Sequence, residues 1–234
     1  QGVSSAASDV YKRQIPFFMS TAGPTTWLMI GALALIGLEH PLACQAQSNA
    51  GAQVSGLIAQ GMTKLSANRP EEAMLDAQKA IALDGTSANA FFLKARAEDD
   101  IGLKDEALKD YDKAILLNPK LGKAYSNRGL IKASKGNLKA AMADFDSAIS
   151  IEPGLASAYV NRGVAKGAMG NPKGALSDFS KAISINSKYD NAYRNRGITR
   201  EIIGDIKGAC SDWKIAGSLG QKDAANWYSN QCPK

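Results

Sequence analysis

Ala-Tyr-Ser-Asn-Arg-Gly at 124–129, Ala-Tyr-Val-Asn-Arg-Gly at 158–163 and Ala-Tyr-Arg-Asn-Arg-Gly at 192–197 are one hexapeptide met three times, 34 residues apart. No residue is gained or lost between copies. A strict period of this size marks stacked helical hairpins, each too small to bury its own apolar face alone. In residues 122–155 the hexapeptide lies on a first helix, and Ala141, Phe145 and Ala148 recur three and four residues apart on one face of a second. Gly136-Asn137 breaks the chain between the two, and Pro153 prevents the second helix from continuing.

The same frame fits 54–87, 88–121, 122–155, 156–189 and 190–223, giving five contiguous copies. A small residue recurs on the first helix as Gly61, Ala95, Gly129, Gly163 and Gly197. The second helix carries two alanine columns, Ala73, Ala107, Ala141, Ala175 and Ala209, then Ala80, Ala114, Ala148, Ala182 and Ala216. Between them sits a large knob, Tyr111, Phe145, Phe179 or Trp213, with Ala77 in the first copy. Alternating small and large side chains lets one hairpin seat in the next. This pattern resembles the tetratricopeptide repeat. The resemblance implies an all-α, right-handed α-solenoid of five hairpins, with residues 221–234 as a capping helix and tail. The family's usual first-helix Tyr is replaced by Lys64, Glu98, Lys132, Lys166 and Arg200, so that contact falls to aliphatic stems or is lost. Copy one, with Ala77 and Asn68 at the knob and turn, is the most divergent and is expected to fray first.

Formal charge is +6, with Lys and Arg interspersed among acidic residues and no run of like charge, which argues for solvated helix surface rather than a nucleic-acid partner. Residues 1–18 resemble a translated adapter tail, and Met19 is the expected start. From Trp27 to Leu38 the chain is continuously apolar, about 18 Å of helix and too short to span a bilayer comfortably. With Pro41 and Cys44-Gln45-Ala46 following, 19–46 has the layout of a signal peptide, and 47–53 is a polar lead-in. Cys44 could instead be a lipidated first residue, and an uncleaved anchor is the third option. The expected location is the periplasm or an equivalent lumen of a bacterium, with membrane contact only through this leader or Cys44. Cys210 and Cys232 then fit one disulfide, or two separately buried thiols.

Catalysis finds little to work with. The only histidine is His40, inside the expected leader, and there is no Gly-rich phosphate loop, so no catalytic residue, metal or cofactor is expected. A recurring Asp on the second helix (Asp144, Asp178 and Asp212 in the last three copies) faces a recurring Arg on the first (Arg128, Arg162, Arg196). Either each pair fixes the register of its hairpin, or the arginines contact a ligand. In the family the first helices line a concave face. The resemblance places Asn127, Asn161 and Asn195 on it, where amides could grip an extended backbone without regard to sequence. Phe92, Leu130, Val160, Val164 and Ile198 would add apolar contacts, and Lys123, Arg96 and Arg194 charge. The carboxylate clamp of some family members is incomplete here, because Ser126 and Leu130 stand where its first Lys and Asn belong. The expected function is a non-enzymatic module binding a protein or extended peptide in this groove. The alternatives are a self-associating scaffold, or an envelope lipoprotein assisting an enzyme or assembly complex. Oligomeric state is left open.

Overall fold

A computed structural model describes residues 40–232. The tail, the leader as far as residue 39 and the Cys44 side chain lie outside what it describes. The chain folds as helical pairs: α1 (His40–Ser66) with α2 (Pro70–Leu83), α3 (Ala88–Asp100) with α4 (Lys104–Leu117), and α5 (Gly122–Ser134) with α6 (Leu138–Ile151). After them come α7 (Ala156–Ala168) with α8 (Pro172–Ile185), α9 (Asp190–Ile202) with α10 (Ile206–Ser218), and the closing α11 (Lys222–Gln231). There is no strand among the described residues, and no described helix is long and apolar enough to cross a membrane. α1 runs through the 47–53 stretch without a break.

Local chemistry sets the ends. Asn137, Asn171 and Asp205 cap α6, α8 and α10, each accepting from the backbone N–H three residues on. The turn between the helices of a hairpin needs a left-handed residue, supplied by Gly136 at φ 82° and, in the first hairpin, by Asn68 at φ 58°. Asn tolerates that conformation better than other non-glycine residues, which explains why the first turn survives without Gly.

Packing follows the columns. A Cβ at Gly163 would lie 2.7 Å from Phe179, so the small residue of the first helix is what admits the knob of the second. In the first hairpin the knob is Ala77, and the space is filled from the next repeat: a Cβ at Gly61 would lie 2.4 Å from Leu93, itself fully buried. Substituting the knob has therefore drawn Leu93 into the core. The stack closes on α11, where Trp227 packs at 5.5 Å on Trp213 and a disulfide joins Cys210 of α10 to Cys232.

Register is fixed by charge. Arg128 grips Asp144 with two hydrogen bonds, Nε to Oδ2 at 3.0 Å and Nη2 to Oδ1 at 2.6 Å, while Nη1 reaches Asp112 of the preceding repeat. Arg162 does the same with Asp178 and Asp146, and Arg196 with Asp212 and the Ser180 hydroxyl. Each arginine thus ties its own hairpin and staples it to the one before. Lys132, Lys166 and Arg200, which stand where the family has Tyr, are not idle: each places a second cation 2.8 Å from the same Asp. Hydrogen bonding to Asp178 holds Arg162 more firmly protonated, although burial works the other way. The second repeat departs, with Lys94 bridging Asp110 and Glu98 and the Glu98 Oε2 buried without a partner.

The ladder predicts unequal costs for two carboxylates on one arginine. Asp178→Ala strands two half-buried cations and should cost about 3 kcal/mol or more, whereas exposed Asp146→Ala should cost under about 1 kcal/mol. Urea unfolding of both variants checks this, and equal losses would mean that burial does not set the value. Glu98 gives a pH prediction. Burial pushes its carboxyl above the ordinary value, Lys94 opposes, and Asp110 adds to the push. A raised native pKa contributes stability below the unfolded pKa, about 4.3 for Glu, and loses it as pH rises through the native value. Glu98→Gln should therefore raise Tm at pH 7, and the gain should vanish below about pH 4. Finally, the Cys210–Cys232 link should contribute about 3 kcal/mol. Cys232→Ser should lower Tm and speed amide exchange in α11, and unchanged exchange there would show that the Trp227 contact holds the helix alone.

Candidate peptide groove

Successive first helices touch one another (α3 with α5, α5 with α7, α7 with α9), and successive second helices make no comparable contact among the described residues. The first helices therefore form the inner, more crowded side of the stack. Helical spacing then sorts their residues into columns, each with its own fate.

The asparagines lie on this side, and each spends one of its two amide N–H groups internally. Asn127 Nδ2 donates to the Tyr111 hydroxyl at 3.1 Å, Asn161 Nδ2 to Ser126 Oγ at 3.2 Å, and Asn195 Nδ2 to the Asn191 carbonyl at 2.9 Å. The first two cross from one repeat to the one before, so they help to set the spacing of the stack. Burial pushes the Tyr111 hydroxyl well above its ordinary pKa, and it stays a neutral partner for Asn127. What remains for a visitor is the second N–H and the side-chain carbonyl of each amide, held at an orientation that the internal bond has already set.

Two of the expected apolar residues are largely covered. Phe92 and Val160 are only 5% exposed, because their column points between neighbouring first helices. Phe92 packs against Tyr111 at 6.0 Å. Arg194 is also taken: its Nε donates to Asp223 at 2.6 Å and its guanidinium lies 5.1 Å from the Trp227 ring, so it anchors α11. Arg128, Arg162 and Arg196 are held in the ladder between the two layers and are not groove contacts.

One column is open. Leu130 is 46% exposed and Val164 48%, with Ile198 half-buried in the same position of the next repeat. The column begins with Met62 and Arg96, so it changes from a thioether to a cation to three aliphatic side chains along the stack. At the Arg96 level the surface deepens into a pocket of about 480 Å³, walled by Met62, Phe92, Arg96, Lys123, Asn127 and Leu155, with Ser126 and Ser157 beside them. Met62, Leu155 and Ser157 were not among the expected site residues. Met62 could have been found by extending the Leu130 column back to the divergent first copy, whereas Leu155 enters from the α6–α7 connection and leaves no columnar signal.

Residues 88–121, 122–154 and 156–189 match the family model described as tetratricopeptide repeat. No curated protein matches the chain. Among solved structures, MamA is similar at 24% identity and TM-score 0.57, over 70% of this chain and 96% of that one. The structure titled for pilF of Pseudomonas aeruginosa is similar at 18% identity and TM-score 0.67, over 74% of this chain and 78% of that one. YrrB, titled a TPR protein with an unusual peptide-binding site, is similar at 20% identity and TM-score 0.55, over 74% and 90%. At these identities the structures speak for the fold alone. Matched repeats, paired helices and the fold of these neighbours agree: residues 88–121, 122–154 and 156–189 are tetratricopeptide repeats, within an all-α stack of the same fold.

Proposed function

We propose that this chain is a non-enzymatic interaction module that holds an extended segment of a protein partner along the inner face of its stack. A stack of tetratricopeptide repeats is an interaction scaffold in general, and the finer reading concerns where the partner lies. The observation that carries it is the open column, in which Leu130 and Val164 leave nearly half their surface in water at equivalent positions while the column of Phe92 and Val160 beside it is packed. Burying such side chains is worth about 1.5–3 kcal/mol each when a partner covers them fully. The surrounding side chains are already held by the ladder and by amide bonds between repeats, so binding orders little that is not ordered already. Half-buried carbonyls of Asn127 and Asn161 at the edge of the column supply acceptors for a partner's backbone N–H groups.

The Cys210–Cys232 disulfide supports an oxidising compartment, the periplasm or an equivalent lumen. A photo-reactive phenylalanine analogue placed at Leu130, and separately at the 73%-exposed Leu116 on a second helix, separates inner-face binding from outer-face binding. Cross-links to a partner are expected from position 130 and not from 116, and the double substitution Leu130→Glu/Val164→Glu is expected to weaken capture by about tenfold or more. Cross-links from 116 alone would move the site to the outer face.

A further inference from the structure

Six of the seven described arginines are committed to carboxylates. Arg69 pairs with Glu72, Arg128 with Asp144, Arg162 with Asp178 and Arg194 with Asp223, while Arg196 and Arg200 share Asp212. Arg96 has no carboxylate partner among the described residues. It is half-buried on the inner face, and its guanidinium turns back toward the preceding repeat, where Nη1 lies 3.5 Å from the Met62 sulfur. Asp99 and Asp100 follow on the same helix, one turn on, yet neither takes it. Lys123, on the next first helix and also without a carboxylate among the described residues, stands across the same pocket. Two unneutralised cations over an apolar floor of Met62, Phe92 and Leu155 form a receptor for a carboxylate attached to an apolar or aliphatic stem.

We propose, on the basis of the groove reading above, that this pocket selects an acidic side chain within the bound peptide, and that the open column beyond it selects apolar ones. The geometry sets a spacing. Neighbouring packed helices lie about 8–10 Å apart, and an extended chain advances about 3.3 Å per residue. Successive levels of the column are therefore about three residues apart along the ligand. An Asp or Glu seated between Arg96 and Lys123 places the third residue from it at Leu130 and the sixth at Val164. The carboxylate belongs to a side chain rather than to a chain end, because the column continues on both sides of Arg96, to Met62 one way and Leu130 the other. A peptide passing through finds apolar contacts in both directions. Arg96 is a specificity determinant in this reading, and the Leu130–Val164 stretch supplies affinity that does not depend on it.

The test is selection from a displayed library of random nine-residue peptides on the whole chain, run in parallel with Arg96→Glu, Arg96→Met and Leu130→Glu/Val164→Glu. Circular dichroism of each variant confirms the fold first. Wild type is expected to enrich Asp or Glu three residues from Leu, Ile or Val. Arg96→Glu is expected to exchange the acid for Lys or Arg while keeping the apolar preference, and Arg96→Met to lose the charge preference alone. A wild-type-selected peptide, synthesised and followed by fluorescence anisotropy, should bind Arg96→Glu at least about tenfold more weakly. Apolar enrichment without the acid, or an acid retained by Arg96→Glu, overturns this inference and leaves the groove reading standing. Enrichment only of peptides with a free C-terminal carboxylate also overturns it, in favour of a terminal-group site. No enrichment at all, or peptides that bind Leu130→Glu/Val164→Glu unchanged, overturns the groove reading with it.

Discussion

A carboxylate buried on each second helix, held by cations from the first, is the constraint on which the rest of the stack rests. Asp144, Asp178 and Asp212 are almost wholly removed from water, and each would be intolerable there without its paired cations. Their hydrogen bonds to Arg128, Arg162 and Arg196 are directional, so they set how far one helix can slide or rotate against the other. Alanine contacts alone would permit several registers of similar energy, since small side chains slide past one another at little cost. The third hydrogen bond of each arginine, to Asp112, Asp146 or Ser180, repeats the same restraint between hairpins. One side chain therefore couples the fold of a repeat to its place in the array, the nearest-neighbour interaction through which a repeat protein becomes cooperative.

Spending the arginines in this way decides what is left for recognition. The inner face is not a row of free polar groups. Two of its amides bridge adjacent helices, one of its arginines holds the cap, and two of its larger apolar residues are packing between repeats. What stays exposed includes the Leu130 column, and that column is heterogeneous. The stack thus presents a charged level at Arg96 and aliphatic levels at Leu130 and Val164 on a frame whose geometry hardly varies from one level to the next. Specificity in such a design comes from the order of side chains along the column, and rigidity comes from elsewhere in the same helices.

How much of this could be read from sequence depends on whether a residue's neighbours lie in its own repeat or in the next. Phe179 against Gly163, and Arg162 against Asp178, are contacts within one hairpin; their columns are visible because a fixed period brings the same two positions together each time. Lys132 and Lys166 are also in-hairpin partners, but a family comparison hides them: the position is known for an aromatic, and a lysine there looks like a loss rather than a second ligand to Asp144 or Asp178. Contacts between repeats were harder. Whether Val160 faces water or the neighbouring helix turns on how closely two first helices approach, and a period of 34 residues does not state that distance. Asn127 bonding to Tyr111 depends on a knob that is Tyr in one copy and Phe or Trp in later ones, so only one asparagine of the three can make it.

The same logic explains why the two ends of the stack differ. At the last repeat the column positions are filled by the chain itself: α11 lies where a further first helix would, Trp227 covers Trp213, and Arg194 is neutralised by Asp223. The Arg194 charge is paired and the Trp213 ring covered there, and the disulfide holds the arrangement closed. Toward the first repeats the opposite holds. Replacing the knob by Ala77 pulls Leu93 into the core, leaving no asparagine at that level of the inner face. The second repeat then carries Glu98 where other copies carry a cation, so its ladder has a surplus of negative charge, while Arg96 on the facing column has no acid among the described residues. Departures from the repeat consensus in the first two copies therefore remove internal partners, and they do so beside a pocket on the inner face. A regular array binds poorly by sequence because every level offers the same contacts, and it becomes selective where its regularity fails.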